Sequence, residues 1–272
     1  MGAQATICIV NHRTLDFTRL CLRCVRKFTR VPCEVLVIDN DSQDESLDYL
    51  RGLHWIRLIE RSTESDPDGG HSHAAALDLG LQNCRTEFFV SMHSDAFVLG
   101  PGWLTDLMGY FDGDPQIACV GSGKIELTPA WRTALKRCTD LRAFMRKLMR
   151  PGDPLGVRRH YNRTICCLYR ADILRREGLS FLLDREKGMT SGKKLYFELV
   201  DRGYRTVELP VRVMARYVVH LAHATQVVNP QEFALRSKTV RKCNRLTRRV
   251  LSSATMQAIL ADTSLDEGRE GH

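Results

Sequence analysis

The stretch "FFVSMHSDAFVLGPGWL" (88–104) holds the reading on which the fold turns. A short apolar run, "EFFVS" (87–91), reads as a buried strand and stops at a His-Ser-Asp triplet. A turn rich in Gly and Pro follows, and "WLTDLMGYF" (103–111) then reads as a helix. Strand side chains alternate faces, so His93 and Asp95 are expected on one side, with Met92 and Ser94 on the other. An imidazole and a carboxylate converging at the carboxyl edge of a strand make either a site or a simple strand cap.

The same strand–helix alternation extends in both directions. Upstream, "TICIV" (6–10), "EVLVI" (34–38) and "WIRLIE" (55–60) read as strands. Helices are expected from Leu15 to about Phe28, with Thr14 as cap, and over "HAAALDLGLQ" (73–82). Between the second strand and the next element lies an acidic turn, "DNDSQDES" (39–46). Downstream, "IACVGS" (117–122) is a fifth strand. Such alternation implies right-handed crossover units and a mostly parallel sheet, with ligands bound outside the carboxyl ends of the strands. Asn11, Asp39 and His93–Asp95 all fall at those ends.

The second half is less regular. "RTICCLY" (163–169), "TVELP" (206–210) and "YVVHLAH" (217–223) read as strands, and "SGKKLYFELVDRGY" (191–204) as a helix. Two basic amphipathic helices are expected, at 131–150 and 231–260, followed by a disordered tail, "DTSLDEGREGH". This divides the chain into an α/β half (1–125), a second half of the same domain (126–230) and a basic C-terminal helix with its tail (231–272).

With 272 residues and 43% hydrophobic content, the chain can bury a real core. Its formal net charge of +8 points to an anionic partner. A nucleic-acid reading would rest on that charge alone, because no recognition motif accompanies it. No run is long and apolar enough for a membrane span, and no secretory leader is apparent, so a cytoplasmic protein is the expectation. Ten cysteines fit a reducing compartment. Cys21 and Cys24 form a C-x-x-C, but they fall on the apolar stripe of the first helix, which favours buried thiols over a metal site.

Four segments, in order, resemble the family 2 glycosyltransferases of the GT-A fold: "IVNH", "VLVIDNDSQDES", "SHAAALDLGL" and "FFVSMHSDAFVLGPGWL". The resemblance covers residues 5–125 well and the rest weakly. It implies a GT-A type α/β fold, with a mostly parallel central sheet flanked by helices. It also implies transfer of a sugar from a nucleoside diphosphate sugar, most often UDP-linked, to a glycan or lipid-linked acceptor. By that resemblance Asn11, Asp39, Ser42, Asp44, Asp78 and Ser94 are candidate nucleotide contacts, Asp78 standing where Asn is usual. Asp95 corresponds to the last acid of the family's Asp-x-Asp segment, which holds Mn²⁺ or Mg²⁺ against the diphosphate. His93 replaces the first acid of that segment, and imidazole suits Mn²⁺ better than Mg²⁺. His220, in "VVHLAHAT", matches a late histidine that often completes the metal contact.

The pattern departs from the family at the general base. The family places an acid where this chain has Ser191–Gly192. Asp184 and Glu186, a few residues upstream, could substitute. Alternatively the acceptor is already ionised and needs no base. Lys193 and Lys194, at an expected helix start, then suggest an anion or acceptor site, and the two basic helices suggest contact with an anionic membrane surface. A nucleotidyltransferase would show a Gly-rich phosphate loop after the first strand, which "IVNHRTLDF" lacks. A degenerate module that binds a nucleotide sugar or glycan without turnover is the remaining alternative.

Overall fold

The computed structural model describes residues 2–123 and 161–267. The first part of the chain runs β1 (Ala5–Asn11), α1 (Leu15–Phe28), β2 (Cys33–Asn40), α2 (Glu45–Arg51), β3 (Arg57–Arg61), α3 (Gly69–Asn83), β4 (Phe88–His93), β5 (Ala96–Val98), α4 (Trp103–Gly109) and β6 (Ile117–Gly121). The second part runs β7 (Cys166–Arg170), α5 (Ala171–Arg176), α6 (Ser191–Asp201), β8 (Arg205–Glu208), α7 (Val211–Tyr217), β9 (Val218–His220), α8 (Ala224–Val228), α9 (Ser237–Leu251) and α10 (Ala254–Ala261). The basic helix expected at 131–150 lies outside the described residues.

Seven strands form one sheet in the order β3-β2-β1-β4-β7-β6-β8. β1 pairs in parallel with β2 and β4, β2 with β3, and β6 with β8. Only β7 runs antiparallel, between β4 and β6. The strand order reverses at β1, so a crevice opens at the carboxyl ends of β1 and β4, where doubly wound sheets take their ligands.

All seven residues of β1 are buried, which accounts for its unbroken apolar sequence. Ile7 and Ile9 face the layer built from α1 and α4, with Leu20, Phe97 and Trp103. Cys8 and Val10 face the layer of α3 and α5, with Leu77, Phe89 and Phe181. Each such side chain contributes about 1.5–3 kcal/mol when fully buried. A Cβ at Gly80 would collide with Cys8 Sγ, so α3 reaches β1 only because residue 80 has no side chain. Cys21 and Cys24 are buried free thiols beside Met92 and Met256, as their helical spacing requires.

Several expectations need correction. Thr14 stands at the N-cap of α1 as expected, but its side chain makes no capping hydrogen bond; its hydroxyl is turned to Asn11 Oδ1 at 3.1 Å. The acidic turn is shorter than expected, confined to residues 41–44: Asp39 and Asn40 finish β2, and Asp44 caps α2 by accepting from Ser46 N at 3.0 Å. The basic segment 231–260 is two helices, broken at Ser252–Ser253, where Ser253 caps α10. The start of the tail is ordered, because Thr263–Asp266 forms a 3₁₀ turn that carries Asp266 to the buried Arg23. Among the described residues, no helix is long and apolar enough to cross a membrane.

Candidate functional site

β4 ends at His93, and Ser94–Asp95 make the turn into β5. It is therefore a turn, rather than strand alternation, that brings Asp95 to the side of His93. β5 pairs antiparallel with β9, with Ala96 opposite His220. The imidazole of His220 thus arrives with Nε2 at 3.2 Å from Asp95 Oδ1. His93 Nδ1 lies 3.8 Å from the same oxygen. Beyond β9, Ala222 and His223 adopt left-handed backbones with φ of 48° and 68°, a conformation that costs a non-glycine residue roughly 1–2 kcal/mol. The tight turn they make lets Ala224 N donate to Asp95 Oδ2 at 3.3 Å.

Among the described residues, His93, Asp95 and His220 are the group whose ligand atoms all lie within 4.8 Å of one another. Burial alone would raise the Asp95 pKa, but the His220 and His93 imidazoles and the Ala224 N–H outweigh it and hold the carboxyl below its usual range. Asp95 is therefore ionised at neutral pH. Burial pushes His93 down to about 3, with His73 adding to the effect and Asp95 opposing it. The ring is neutral, as a ligand must be. His93 Nε2 is buried without a hydrogen-bond partner. Two imidazoles and one carboxylate, with an orphaned nitrogen among them, fit a divalent ion of borderline softness.

Sequence reasoning missed His73. Its ring lies edge-to-face with His93 at 4.7 Å, its Nε2 is also buried without a partner, and burial lowers its pKa to about 4. The only hint in the sequence is the His-Ser-His repeat at 71–73 in the first turn of α3.

The candidate nucleotide residues form a connected network behind this group. Asp39 Oδ1 accepts from Asn11 Nδ2 at 2.7 Å and from Ser42 Oγ at 2.6 Å, while its Oδ2 accepts from Ser42 N at 3.0 Å. Asn11 Oδ1 in turn accepts from Thr18 Oγ1 at 2.6 Å and from Thr14 Oγ1, which also lies 3.2 Å from Ser94 Oγ. These groups tie the ends of β1, β2 and β4 to α1. Asp78 lies apart, accepting from Ser180 Oγ at 2.5 Å and from Phe181 N at 2.7 Å.

A cleft of about 910 Å³ opens over the strand ends. His93, Ser94, Asp95 and His220 line it, and so do His12, Asn40 and His73. Asn11, Asp39, Ser42 and Asp44 sit behind its wall rather than on it. Asp184 and Glu186 are also outside the lining; Asp184 accepts from Lys187 N at 3.0 Å across a short turn. Lys193 and Lys194 are likewise not in the wall, although Ser191 and Gly192 beside them are. Lys194 instead reaches Glu198 at 3.9 Å. On the far side Glu232 lines the cleft and is held by Arg13 Nη1 at 2.6 Å and His12 Nε2 at 2.7 Å.

Solved structures share this architecture. The mannosyltransferase PcManGT from Pyrobaculum calidifontis, in complex with GDP-Man and Mn²⁺, superposes with a TM-score of 0.56 at 14% identity, over 97% of this chain and 80% of its own. Glucosyl-3-phosphoglycerate synthase from Mycobacterium tuberculosis, in complex with Mn²⁺, UDP and phosphoglyceric acid, gives 0.53 at 15% identity, over 92% of this chain and 78% of its own. TarS from S. aureus gives 0.50 at 14% identity, over 98% and 76%. At these identities the likeness establishes the fold. No curated protein matches the chain in sequence.

The sheet order and the structural neighbours define a GT-A type α/β fold. The profile of glycosyl transferase family 2 matches residues 6–178, more than half of the chain. The chain belongs to that family, and its chemistry is glycosyl transfer.

Proposed function

We propose that the protein moves a sugar from a nucleoside diphosphate sugar, UDP-linked, to an acceptor with inversion at the anomeric carbon. The observation that carries this reading is the His93–Asp95–His220 group at the mouth of a cleft over the β1 and β4 ends. Neighbours of the same fold were solved with a nucleotide or nucleotide sugar together with Mn²⁺.

In this reading Asp95, His220 and His93 would hold Mn²⁺ or Mg²⁺. Such an ion, when bound there, would supply positive charge against the charge that develops on a departing diphosphate. Asp95 enters with a full negative charge, and His93 enters as a neutral imidazole. The Asn11–Asp39–Ser42 network fixes the strand ends, so that Asn40 and His12 meet the nucleoside at the cleft wall.

Asp184 and Glu186 would reach the acceptor as a base only if the 184–189 turn moved inward. An acceptor that is already ionised, such as a lipid-linked phosphate, needs no base. The exposed face of α9 supports a membrane encounter. Lys238, Arg241, Lys242, Arg245, Arg248 and Arg249 are exposed, and no acidic residue occurs in the helix. A degenerate module that binds the donor without turnover is the second reading, favoured by His93 in place of an acid.

The test is a thermal-shift and calorimetric screen of UDP- and GDP-sugars with and without Mn²⁺, followed by an assay of donor hydrolysis. A metal-dependent rise in melting temperature with turnover is expected. Binding without turnover selects the second reading, and no binding of any nucleotide sugar rejects both.

A further inference from the structure

Every acid in the cleft wall has a cation or imidazole against it. Asp66 pairs with Arg61 at 2.8 Å, Asp68 with Arg185, Glu232 with Arg13, and Asp95 with His220. The wall also contains one arginine, Arg163, and among the described residues no carboxylate pairs with it. Its guanidinium lies half-buried beside the Tyr161 ring, 5.9 Å from the centroid. A partly desolvated guanidinium with no counter-charge is costly, and a bound anion relieves that cost through charge-assisted hydrogen bonds.

The backbone that carries Arg163 is fixed. Asn162 is buried and donates to Cys119 Sγ and Val207 O, both at 3.0 Å, and Arg163 N donates to Ser122 O at 3.1 Å. The start of α6 is pressed against this segment. A Cβ at Gly192 would fall 2.5 Å from Asn162 O and 3.3 Å from Arg163 Cα. The absence of a side chain at 192 therefore brings the first turn of α6 beside the arginine. Thr190 makes no side-chain cap for this helix; its hydroxyl lies 3.3 Å from the Tyr161 hydroxyl. Ser191 and Gly192 thus present an uncapped helix start to the cleft. In the same cleft the buried Nε2 atoms of His73 and His93 have no partner.

We propose that Arg163 and the first turn of α6 form a subsite for an anionic group, a phosphate or carboxylate, carried by the acceptor. This rests on the transferase reading above and replaces Lys193 and Lys194 as the anion-holding residues. Arg163 and His93 line the same cleft, so an acceptor anchored at Arg163 presents its nucleophile on the side of the donor group. The donor diphosphate is the other source of the same chemistry, and the experiment separates the two.

Calorimetry of the full chain with Mn²⁺ would use inorganic phosphate as the probe, alone and with saturating UDP or GDP, for wild type, Arg163→Lys and Arg163→Gln. Melting curves would verify that each variant is folded. Phosphate is expected to bind the nucleotide-saturated wild type. Arg163→Gln should weaken that binding at least tenfold and Arg163→Lys less, both with unchanged nucleotide affinity. Equal phosphate binding by wild type and Arg163→Gln overturns the proposal. So does a fall in nucleotide affinity in Arg163→Gln together with displacement of phosphate by nucleotide, which assigns Arg163 to the donor. If neither nucleotide binds the wild type, the transferase reading fails, and the phosphate-only arm still tests the anion subsite.

Discussion

His220 Nε2 lies 3.2 Å from Asp95 Oδ1 because β9 pairs with β5 in the register that sets His220 opposite Ala96. The site is thus joined from two distant parts of the chain by a two-stranded ladder outside the main sheet. Displacing that ladder would separate His220 from Asp95, and it would also disturb the core, because Phe97 of β5 packs in one cluster with Ile7 and Ile9 of β1.

Ion preference follows from the donor set. With two imidazoles and one carboxylate, the wild type should take Mn²⁺ well ahead of Mg²⁺. His93→Asp adds an oxygen ligand and should narrow that gap. Electron paramagnetic resonance of bound Mn²⁺ under Mg²⁺ competition reads both. Equal competition in wild type and variant would remove His93 from the ligand set, whereas Asp95→Ala should lose Mn²⁺ binding in either case.

Asp39 is expected to act on binding and on stability together. Its carboxylate accepts three hydrogen bonds from Asn11 and Ser42 behind the cleft wall. Asp39→Ala leaves buried donors unpaired, at a cost of about 1–3 kcal/mol. It should also weaken nucleoside diphosphate binding at least tenfold, about 1.4 kcal/mol. Denaturant melts and calorimetry on the same preparation separate the two effects. Unchanged nucleotide affinity in a destabilised but folded variant would leave Asp39 a purely structural role.

The C-terminal turn should be a stability element. Arg23 is almost fully buried, with 4% side-chain exposure, and Asp266 is its carboxylate partner. Tyr49 OH donates to Asp266 Oδ1 at 2.8 Å. Asp266→Ala strands a buried guanidinium and should cost about 3 kcal/mol. Urea unfolding of this variant, with Glu267→Ala as a surface control, measures it. A loss no larger than the control's would mean that the turn is dispensable.

Acid should destabilise the metal-free protein through His73. Its folded pKa of about 4 lies below the ordinary value near 6.5. Between those values the unfolded chain binds a proton that the folded chain does not, so stability is full above about 6.5 and falls as pH drops towards 4. His93 contributes in the same direction down to about 3. Unfolding free energies at several pH values, for wild type and His73→Gln, should differ in slope by about one proton, roughly 1.4 kcal/mol per pH unit. Parallel slopes would show that His73 titrates alike in both states.

The basic face of α9 should bind anionic vesicles. Each Lys or Arg near such a surface contributes about 1 kcal/mol, and the attraction is screened by salt. Co-sedimentation with phosphatidylserine vesicles, but not with neutral ones, is expected, with loss on replacing Arg241, Arg245 and Arg248 by Gln. Equal pelleting with neutral vesicles would exclude a charge-driven contact.

The sequence by itself determined the sheet and the end of it that carries the site. Short β-branched runs such as "TICIV", bounded by polar turns, read as strands buried on both faces, and the helices between them imply parallel crossovers. Asp39 was legible because it follows such a run directly, and His93 and Asp95 because they fall just beyond one. The short elements were not. β5, α2 and α7 have too few residues for a periodic signal, and pairing or capping rather than propensity sustains them. Only the tertiary structure decided which candidates meet. It set His220 against Asp95 through a three-residue ladder, brought His73 and Arg163 into the cleft wall, and left Asp184, Glu186, Lys193 and Lys194 outside it. Those outcomes depend on strand register, and on a single missing Cβ at Gly192, and neither leaves a mark on local sequence periodicity.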